Sequence, residues 1–298
     1  MSQVQGLIKK TALTRAEQEE IEQLTDVCNR YEDLHMRLDF GMLRERPGDI
    51  VTDFLYYRGG RLLGYLGLDN WGSEERELVA MVHPEFRREG IFKALFEATK
   101  EECSRNGIQR LDLVCERSSV AGQACAKASG ARYGFAEHEM VLADFKDSYT
   151  FDERIFFRQA ARHDLDALVT VQADSFNDPE LFVRAKLLQL WQDPRRRFYL
   201  ATFGEGEVSC KELVGSLRLD ETEQAIGIYA FGVVPDYRRR GYGRQMLEEV
   251  IRLVRAASQK PITLDVEVDN VAAIALYTSC GFQIKTTYDY YIVDVKPA

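Results

Sequence analysis

The sequence predicts an α/β (α+β) chain built as two tandem copies of one domain, each a mixed, mostly antiparallel sheet flanked by helices. Three observations lead there. The 298 residues suit two domains at roughly 100–200 residues each. Sliding the chain against itself by 151 residues aligns 61–131 with 212–282 without a gap and gives 17 identities in 71 positions. Residue frequencies near 6% would give about four. Within each copy, apolar residues alternate between helical and strand periods.

The elements follow in order. Thr14-x-x-Glu17 is a capping-box signature, and Ile21, Leu24, Val27, Tyr31, Leu34 and Leu38 continue one helical face. In the second copy, a strand-like IFFRQA (155–160) precedes a helix of similar phase through Leu165, Leu168, Val169, Ala173 and Phe176. Hairpins are expected at 54–68 around Gly59-Gly60, and at 199–219 across a Gly/Glu loop. An apolar strand, a basic turn, a long helix, a strand, a short helix and a last strand then complete each copy. Met246, Leu247, Val250, Ile251 and Val254 mark the buried face of the second long helix. The polar stretch from Ala143 to Arg154 has no Gly or Pro, so a short, stiff joint is expected, with domains at 1–147 and 148–298.

Composition excludes several classes. Apolar runs fall well short of the roughly 20 residues needed to span a bilayer, and the N-terminus lacks the pattern of a secretory signal. The six cysteines contain no CxxC and there are four histidines, which argues against a metal site and for reduced thiols in a cytoplasmic protein. A formal charge of −9 argues against nucleic acid as partner.

The informative segment is VVPDYRRRGYGRQML (233–247). A strand ends at Val234, Pro235 breaks the ladder, and three arginines lead to Gly241-Tyr242-Gly243 at a helix start. Helix starts expose N–H groups without intrahelical partners and the positive end of the macrodipole. Glycines let a diphosphate approach those donors. The segment is built as a pyrophosphate cradle. It is not a P-loop, since GxxxxGK[ST] is absent, nor a Rossmann fingerprint, since the first glycine of GxGxxG is missing.

Together with LDVEVDNVAAIALYTSCGF (264–282), this segment resembles the two signature segments of the GCN5-related N-acetyltransferase (GNAT) superfamily. Arg238, Gly241 and Gly243 match its [QR]-x-x-G-x-[GA] loop, and Asn270 with Tyr277 matches its second signature. The resemblance covers most of 155–293 and, more weakly, 14–142. It implies transfer of an acetyl group from acetyl-CoA, with no metal, to a small amine or a peptide N-terminus. Val233 and Val234 are implied near the thioester carbonyl. Arg238, Arg239, Arg240, Gly241, Tyr242, Gly243 and Arg244 would hold the pyrophosphate, mainly through main chain. Asn270 would bond the pantetheine arm or the following helix, and Tyr277 would protonate the leaving thiolate. For the base, Asp265 and Glu267 alternate away from Leu264, Val266 and Val268 on one strand face, and a water relay or Tyr229 stays open. Trp191, Phe231, Tyr288, Tyr290 and Tyr291 are candidates to line an amine pocket.

The first copy reads as degenerate. Val82, Arg87, Arg88 and Gly90 persist as a possible second cofactor site, but Phe92, Ser119, Ala126 and Val114 stand where the second copy has Gly243, Asn270, Tyr277 and Asp265. Catalysis is therefore expected in the second copy. The alternative reading is an acyl-CoA-binding sensor or interaction protein without turnover. Acceptor identity and oligomeric state stay open at this level.

Overall fold

The structure, a computed structural model, describes residues 5–44, 46, 48–70, 75–148, 151–204 and 212–296. The first copy contains β1 (Gly6–Lys10), α1 (Arg15–Glu32), α2 (Phe40–Arg44), β2 (Asp53–Arg58), β3 (Arg61–Asn70), β4 (Glu75–Val82), α3 (Ile91–Arg105), β5 (Arg110–Glu116), α4 (Val120–Ala128) and β6 (Arg132–Leu142). The second contains β7 (Ile155–Gln159), α5 (Leu165–Phe176), α6 (Glu180–Leu190), β8 (Arg196–Phe203), β9 (Glu212–Glu221), β10 (Ile226–Val233), α7 (Tyr242–Ala257), β11 (Ile262–Glu267), α8 (Val271–Ser279) and β12 (Phe282–Asp294). This is the mixed, mostly antiparallel α/β architecture expected from the sequence. Among the described residues, no helix is long and apolar enough to cross a membrane, and the described cysteines are free thiols.

The chain groups into two compact units, Met1–Glu137 with Thr286–Ala298, and His138–Lys285. They are not contiguous halves meeting at 147/148, because residues 286–298 fold with the first unit and 138–147 with the second.

In the first unit β1, β2, β3 and β4 pair antiparallel in that order. β4 pairs parallel with β5 from Glu75↔Arg110 to Leu78↔Leu113, and Tyr288–Asp294 adds an antiparallel strand beside β5. The capping box at Thr14 and Glu17 forms. The helix ends at Glu32, before the expected Leu38, because Asp33 turns left-handed (φ 54) and its N–H bonds the Asn29 carbonyl. Ile21, Leu24 and Cys28 of α1 pack on one sheet face with Leu55 and Tyr65. Leu95 and Phe96 of α3 pack on the other with Leu66, Leu78 and Leu113.

The second unit repeats this plan. β7, β8, β9 and β10 pair antiparallel, and β10 pairs parallel with β11 only from Ile226↔Ile262 to Ile228↔Leu264. Leu217, Leu219, Ile228 and Leu264 share a core with Leu247 and Val250 of α7. Leu200 and Val214 share the opposite core with Leu168 of α5 and Leu187 of α6. Each of these side chains contributes about 1.5–3 kcal/mol on burial, and strand alternation assigns the two faces.

The copies differ at one strand. β3 and β4 pair in continuous register from Gly64↔Val82 to Asn70↔Arg76. β9 and β10 shift register between Tyr229 and Gly232, with Ala230 at φ 47. β10 therefore carries an extra residue, a β-bulge absent from β4.

The joint is tied down along its described residues. Ser148 bonds Glu248 of α7 through both its N–H and its hydroxyl, and Arg252 bonds both oxygens of Asp147. Gly281 (φ +103) accepts from the N–H groups of Ala143 and Asp144, and a Cβ there would stand 1.6 Å from the Asp144 carbonyl oxygen. Gly130, its counterpart 151 residues earlier, has φ +76 and open space around a Cβ. Gly281→Ala is expected to lose on the order of 3 kcal/mol or more, and Gly130→Ala about 1 kcal/mol from the left-handed backbone alone. Urea unfolding of the two variants checks this, and equal losses would contradict it.

Candidate active site

Among the described residues, the end of β10 is where the second unit's ladder to β11 stops. β11 leaves β10 after Ile228↔Leu264, while β10 continues to Val233. The Val234 N–H donates to the Val214 carbonyl at 2.9 Å. Strand alternation then turns the Val233 N–H to the opposite edge, into the gap where β11 has diverged. Of the two amides expected to meet a carbonyl, Val234's is occupied by β9 and Val233's faces the gap.

The basic turn follows. Pro235–Tyr237 forms a 3₁₀ turn, Arg238 is extended, and Arg239 (φ 63) and Gly241 (φ 86) are left-handed. α7 then begins with no side-chain cap. Its first i→i−4 bond runs from the Gln245 N–H to the Gly241 carbonyl, so the N–H groups of Tyr242, Gly243 and Arg244 lack helical partners. The arginines divide by task. Arg238 clamps the turn, donating to the Val233 carbonyl and the Ser175 carbonyl, each at 2.8 Å. Arg244 donates to Glu248 at 2.6 Å and to Ser279 at 2.9 Å. Arg240 lies over the Tyr237 ring at 5.1 Å, and Arg239 and Arg240 are exposed. Tyr242 is buried and its hydroxyl donates to Asp152 at 3.2 Å. A Cβ on Gly243 would stand 3.5 Å from Leu276, 3.6 Å from Val233 and 3.9 Å from Phe231, so this position looks onto the end of β10 and onto α8.

The first unit reproduces the main chain of this turn. Arg87 donates to the Val82 carbonyl at 3.2 Å, as Arg238 does to Val233. Arg88 (φ 67) and Gly90 (φ 83) are left-handed, and α3 also starts without a side-chain cap. At the position of Gly243, Phe92 is partly buried against the core and stacks on Phe96 at 5.5 Å.

α8 carries the second set of candidates. Asn270 is its N-cap, accepting from the Ala273 N–H at 3.1 Å. Ser119 caps α4 in the same way through the Gly122 N–H at 3.0 Å. Tyr277 is buried beside Phe231 (ring centroids 6.1 Å apart) and Phe282. Burial raises its phenol to about 12, so it keeps its proton at neutral pH. Asp265 follows Leu264, the last residue of β11 paired with β10, and lies on the α5/α6 face, opposite Leu264 and Val266. Glu267 is exposed at the end of the same row.

The aromatic candidates separate. Tyr288, Tyr290 and Tyr291 fold with the first unit: Tyr290 is 1% exposed, stacks on Phe135 at 4.3 Å and bonds Glu137 at 2.7 Å. Trp191 stacks on Phe198 at 4.5 Å and reads as packing. Phe231 alone of this set adjoins Tyr277.

Comparison with known proteins places this geometry. The family model described as the acetyltransferase (GNAT) family matches residues 13–131 and 162–282. A mycothiol acetyltransferase of Actinosynnema mirum is 28% identical over 276 residues, covering 88% of this chain and 89% of that protein. A [ribosomal protein bS18]-alanine N-acetyltransferase of Salmonella typhimurium is 41% identical over 59 residues, 20% of this chain and 40% of that one. A crystal structure of a GCN5-related N-acetyltransferase from Sphaerobacter thermophilus shares the fold at a TM-score of 0.80, with 20% identity, covering 100% of this chain and 98% of that one.

Sequence reasoning missed one carboxylate in the first unit. Glu77 pairs across β3 with Asp69 and across β5 with Asp112, which aligns three acids on one face. The signal was visible as Glu77 directly before the apolar run Leu78–Val82 of the same strand. Burial raises its carboxyl to about 7; Arg37 opposes the rise, and Glu137, Asp69 and Asp112 add to it. The folded state thus holds this proton more tightly than the unfolded chain, and stability falls as pH climbs from about 4.5 through about 7. Glu77→Gln removes that penalty. Urea unfolding is expected to show the variant gaining on the order of 1–3 kcal/mol over wild type at pH 8 and little at pH 4.5. A gain independent of pH would contradict it.

Proposed function

The chain belongs to the acetyltransferase (GNAT) family, and on that premise we propose that its C-terminal unit moves an acetyl group from acetyl-CoA to an amine by direct attack. The observation that carries this reading is the bulged β10, whose end parts from β11 beyond Ile228, turns the Val233 N–H to that edge and sets Phe231 beside Tyr277. The relatives named above act, by name, on mycothiol and on the alanine of a ribosomal protein, and an amine acceptor is the common ground.

The pyrophosphate lies on the uncapped start of α7, held by main-chain N–H groups of 241–244, with Arg239 and Arg240 adding charge. The pantetheine arm follows β10 toward the gap, and the thioester carbonyl accepts from the Val233 N–H, which steadies the developing oxyanion. An alkylamine is mostly protonated near neutral pH, with a reference near 10.4, so a base must act first. Asp265, on the α5/α6 face beside the gap, takes that proton directly or through water, and Glu267 relays it to solvent. The free nitrogen attacks the carbonyl carbon and the C–S bond breaks. Tyr277, on the opposite face, donates its proton to the departing sulfur, and the second proton, lost from the nitrogen as the amide forms, passes through water to restore the phenol. Acid and base thus approach the thioester from opposite faces of the sheet.

The N-terminal unit is proposed to be non-catalytic. It has Ala126 for Tyr277, Phe92 in place of Gly243, and no bulge in β4.

Coenzyme A titrated calorimetrically into the protein is expected to bind one equivalent per chain, and Gly243→Phe is expected to abolish that binding. With acetyl-CoA and an amine panel, Tyr277→Phe and the double variant Asp265→Asn/Glu267→Gln are expected to slow thiol release about 10²-fold or more. Phe92→Gly should leave turnover unchanged. Near-normal rates in the Tyr277 and Asp265/Glu267 variants would overturn the assignment.

A further inference from the structure

The α5/α6 face of the C-terminal sheet carries buried polar groups that the chemistry above does not use. Ser216 of β9 is 0% exposed and Gln172 of α5 is 8% exposed. Among the described residues, the Ser216 hydroxyl and the Gln172 amide nitrogen have no hydrogen-bond partner, and neither does the buried hydroxyl of Ser175. The three converge. A Cβ on Gly232 would meet the Ser175 side chain at 2.6 Å, so α5 crosses β10 there. Ser216 is the cross-strand partner of Gly232 and shares its face, and Gln172 lies one turn before Ser175.

The row continues to Arg218, two residues along β9 on the same face. Asp220 holds its Nε at 2.5 Å and the Tyr229 ring lies beneath it at 5.0 Å. Its Nη groups make no hydrogen bond among the described residues. On α6, which packs on this face through Val183 and Leu187, Lys186 is exposed, and partial desolvation with the Arg218 charge lowers its pKa against Asp178.

The first unit shows what closes such a floor. Tyr65 stands at the position of Ser216, fully buried, its hydroxyl donating to Asp53 at 2.6 Å and its ring covering Gly67, the counterpart of Arg218. In the second unit a serine and an arginine replace the tyrosine and the glycine, so the covering aromatic ring is lost and hydrogen-bonding capacity is added. A buried donor left without a partner destabilises by about 1–3 kcal/mol. Three such groups beside a half-bonded guanidinium are the mark of a surface shaped for a polar ligand.

We propose that this floor is the acceptor subsite, and that the acceptor is an amino-carboxylate whose anionic group is held by Arg218 and Lys186 while its other polar atoms pair with Gln172 and Ser216. The inference rests on the acetyl-transfer reading for its location beside the gap. The carboxylate would anchor the molecule under α5 and α6, with its amine directed along β10 toward Asp265 and the thioester.

The test pairs amino acids with their carboxamides as acceptors of wild-type protein and acetyl-CoA. The free acids are expected to show kcat/KM at least 10-fold higher. Arg218→Gln and Lys186→Gln should each raise KM for the acids about 10-fold or more with kcat nearly kept, and should level acids with amides. Coenzyme A binding by calorimetry should be unchanged, which also shows that the variants fold. Gln172→Leu and Ser216→Ala supply a second readout: both should raise Tm, since an unsatisfied buried group is removed, while KM for the acids rises. A merely structural role would lower Tm instead. Equal use of acids and amides, or variants that shift both alike, would overturn the proposal. Coenzyme A bound but no thiol released with any amine would count against the acetyl-transfer reading. In that case, protection from thermal unfolding by amino acids in the presence of coenzyme A, lost in Arg218→Gln, would still support the subsite, and its absence would sink it.

Discussion

A strand cannot pair fully with two neighbours once they diverge, and β10 lies between two that do. It follows β9 to the end at Val233 but leaves β11 after Ile228. The bulge at Ala230 absorbs the mismatch in one residue, placing the next residues so that one edge stays bonded while the other faces open space. Buried main-chain donors are otherwise almost always paired. A donor held toward a gap by the bonded opposite edge at Gly232 to Val234 is therefore preorganised for something outside the protein, and needs no rearrangement to receive it. The turn after β10, the uncapped helix start and Tyr277 matter because they surround that edge.

Duplication allows the contributions of backbone and side chain to be separated. Both units build the same turn, with left-handed arginine and glycine at equivalent positions and an arginine clamped to the preceding strand's carbonyl. That conserved geometry is what RxxG encodes; the guanidinium of Arg238 or Arg87 serves the protein's own carbonyl, and anion contact falls to main chain and to neighbouring residues. What differs is what fills the space around the turn. Phe92 against Gly243, Tyr65 against Ser216 and Gly67 against Arg218 each change volume while leaving the local backbone alone. One unit places aromatic rings where the other places glycine and serine, and glycine where the other places arginine.

The sequence made the copies, their element order and the basic turn legible because these rest on local signals: helical period, Pro and Gly placement, and the 151-residue self-match. Asn270 and Tyr277 stood out through the family resemblance, which left Asn270 to bond the pantetheine arm or the following helix; the structure shows it capping α8. Three kinds of feature were out of reach. The bulge is a single extra residue in β10, and the gap-free alignment hid it because the hairpin ahead of the strand compensates. The exchange of residues 138–147 and 286–298 between units depends on pairing across long separations, so Tyr288, Tyr290 and Tyr291 looked like pocket residues of the copy that precedes them in sequence. Arg218 and Ser216 read as ordinary alternation in a strand. Only the register against Tyr229 and Gly232, together with the crossing of α5, brings them to one place.

The unsatisfied groups under α5 also explain why the second unit tolerates a polar interior at all. A folded chain that leaves Gln172 and Ser216 without partners is less stable than one with leucine and alanine there. Tyr65 and Asp53 show that the same fold can satisfy or fill the equivalent space. Stability alone would favour the first unit's solution in both places. Retaining unpaired polarity beside the strand edge that β11 leaves follows when the missing partners are supplied by a molecule that arrives, reacts and leaves. In that view Gln172 and Ser216, unpaired among the described residues, and the Val233 N–H, on the edge that β11 leaves, obey one rule: each stands at the place where the reaction brings its partner.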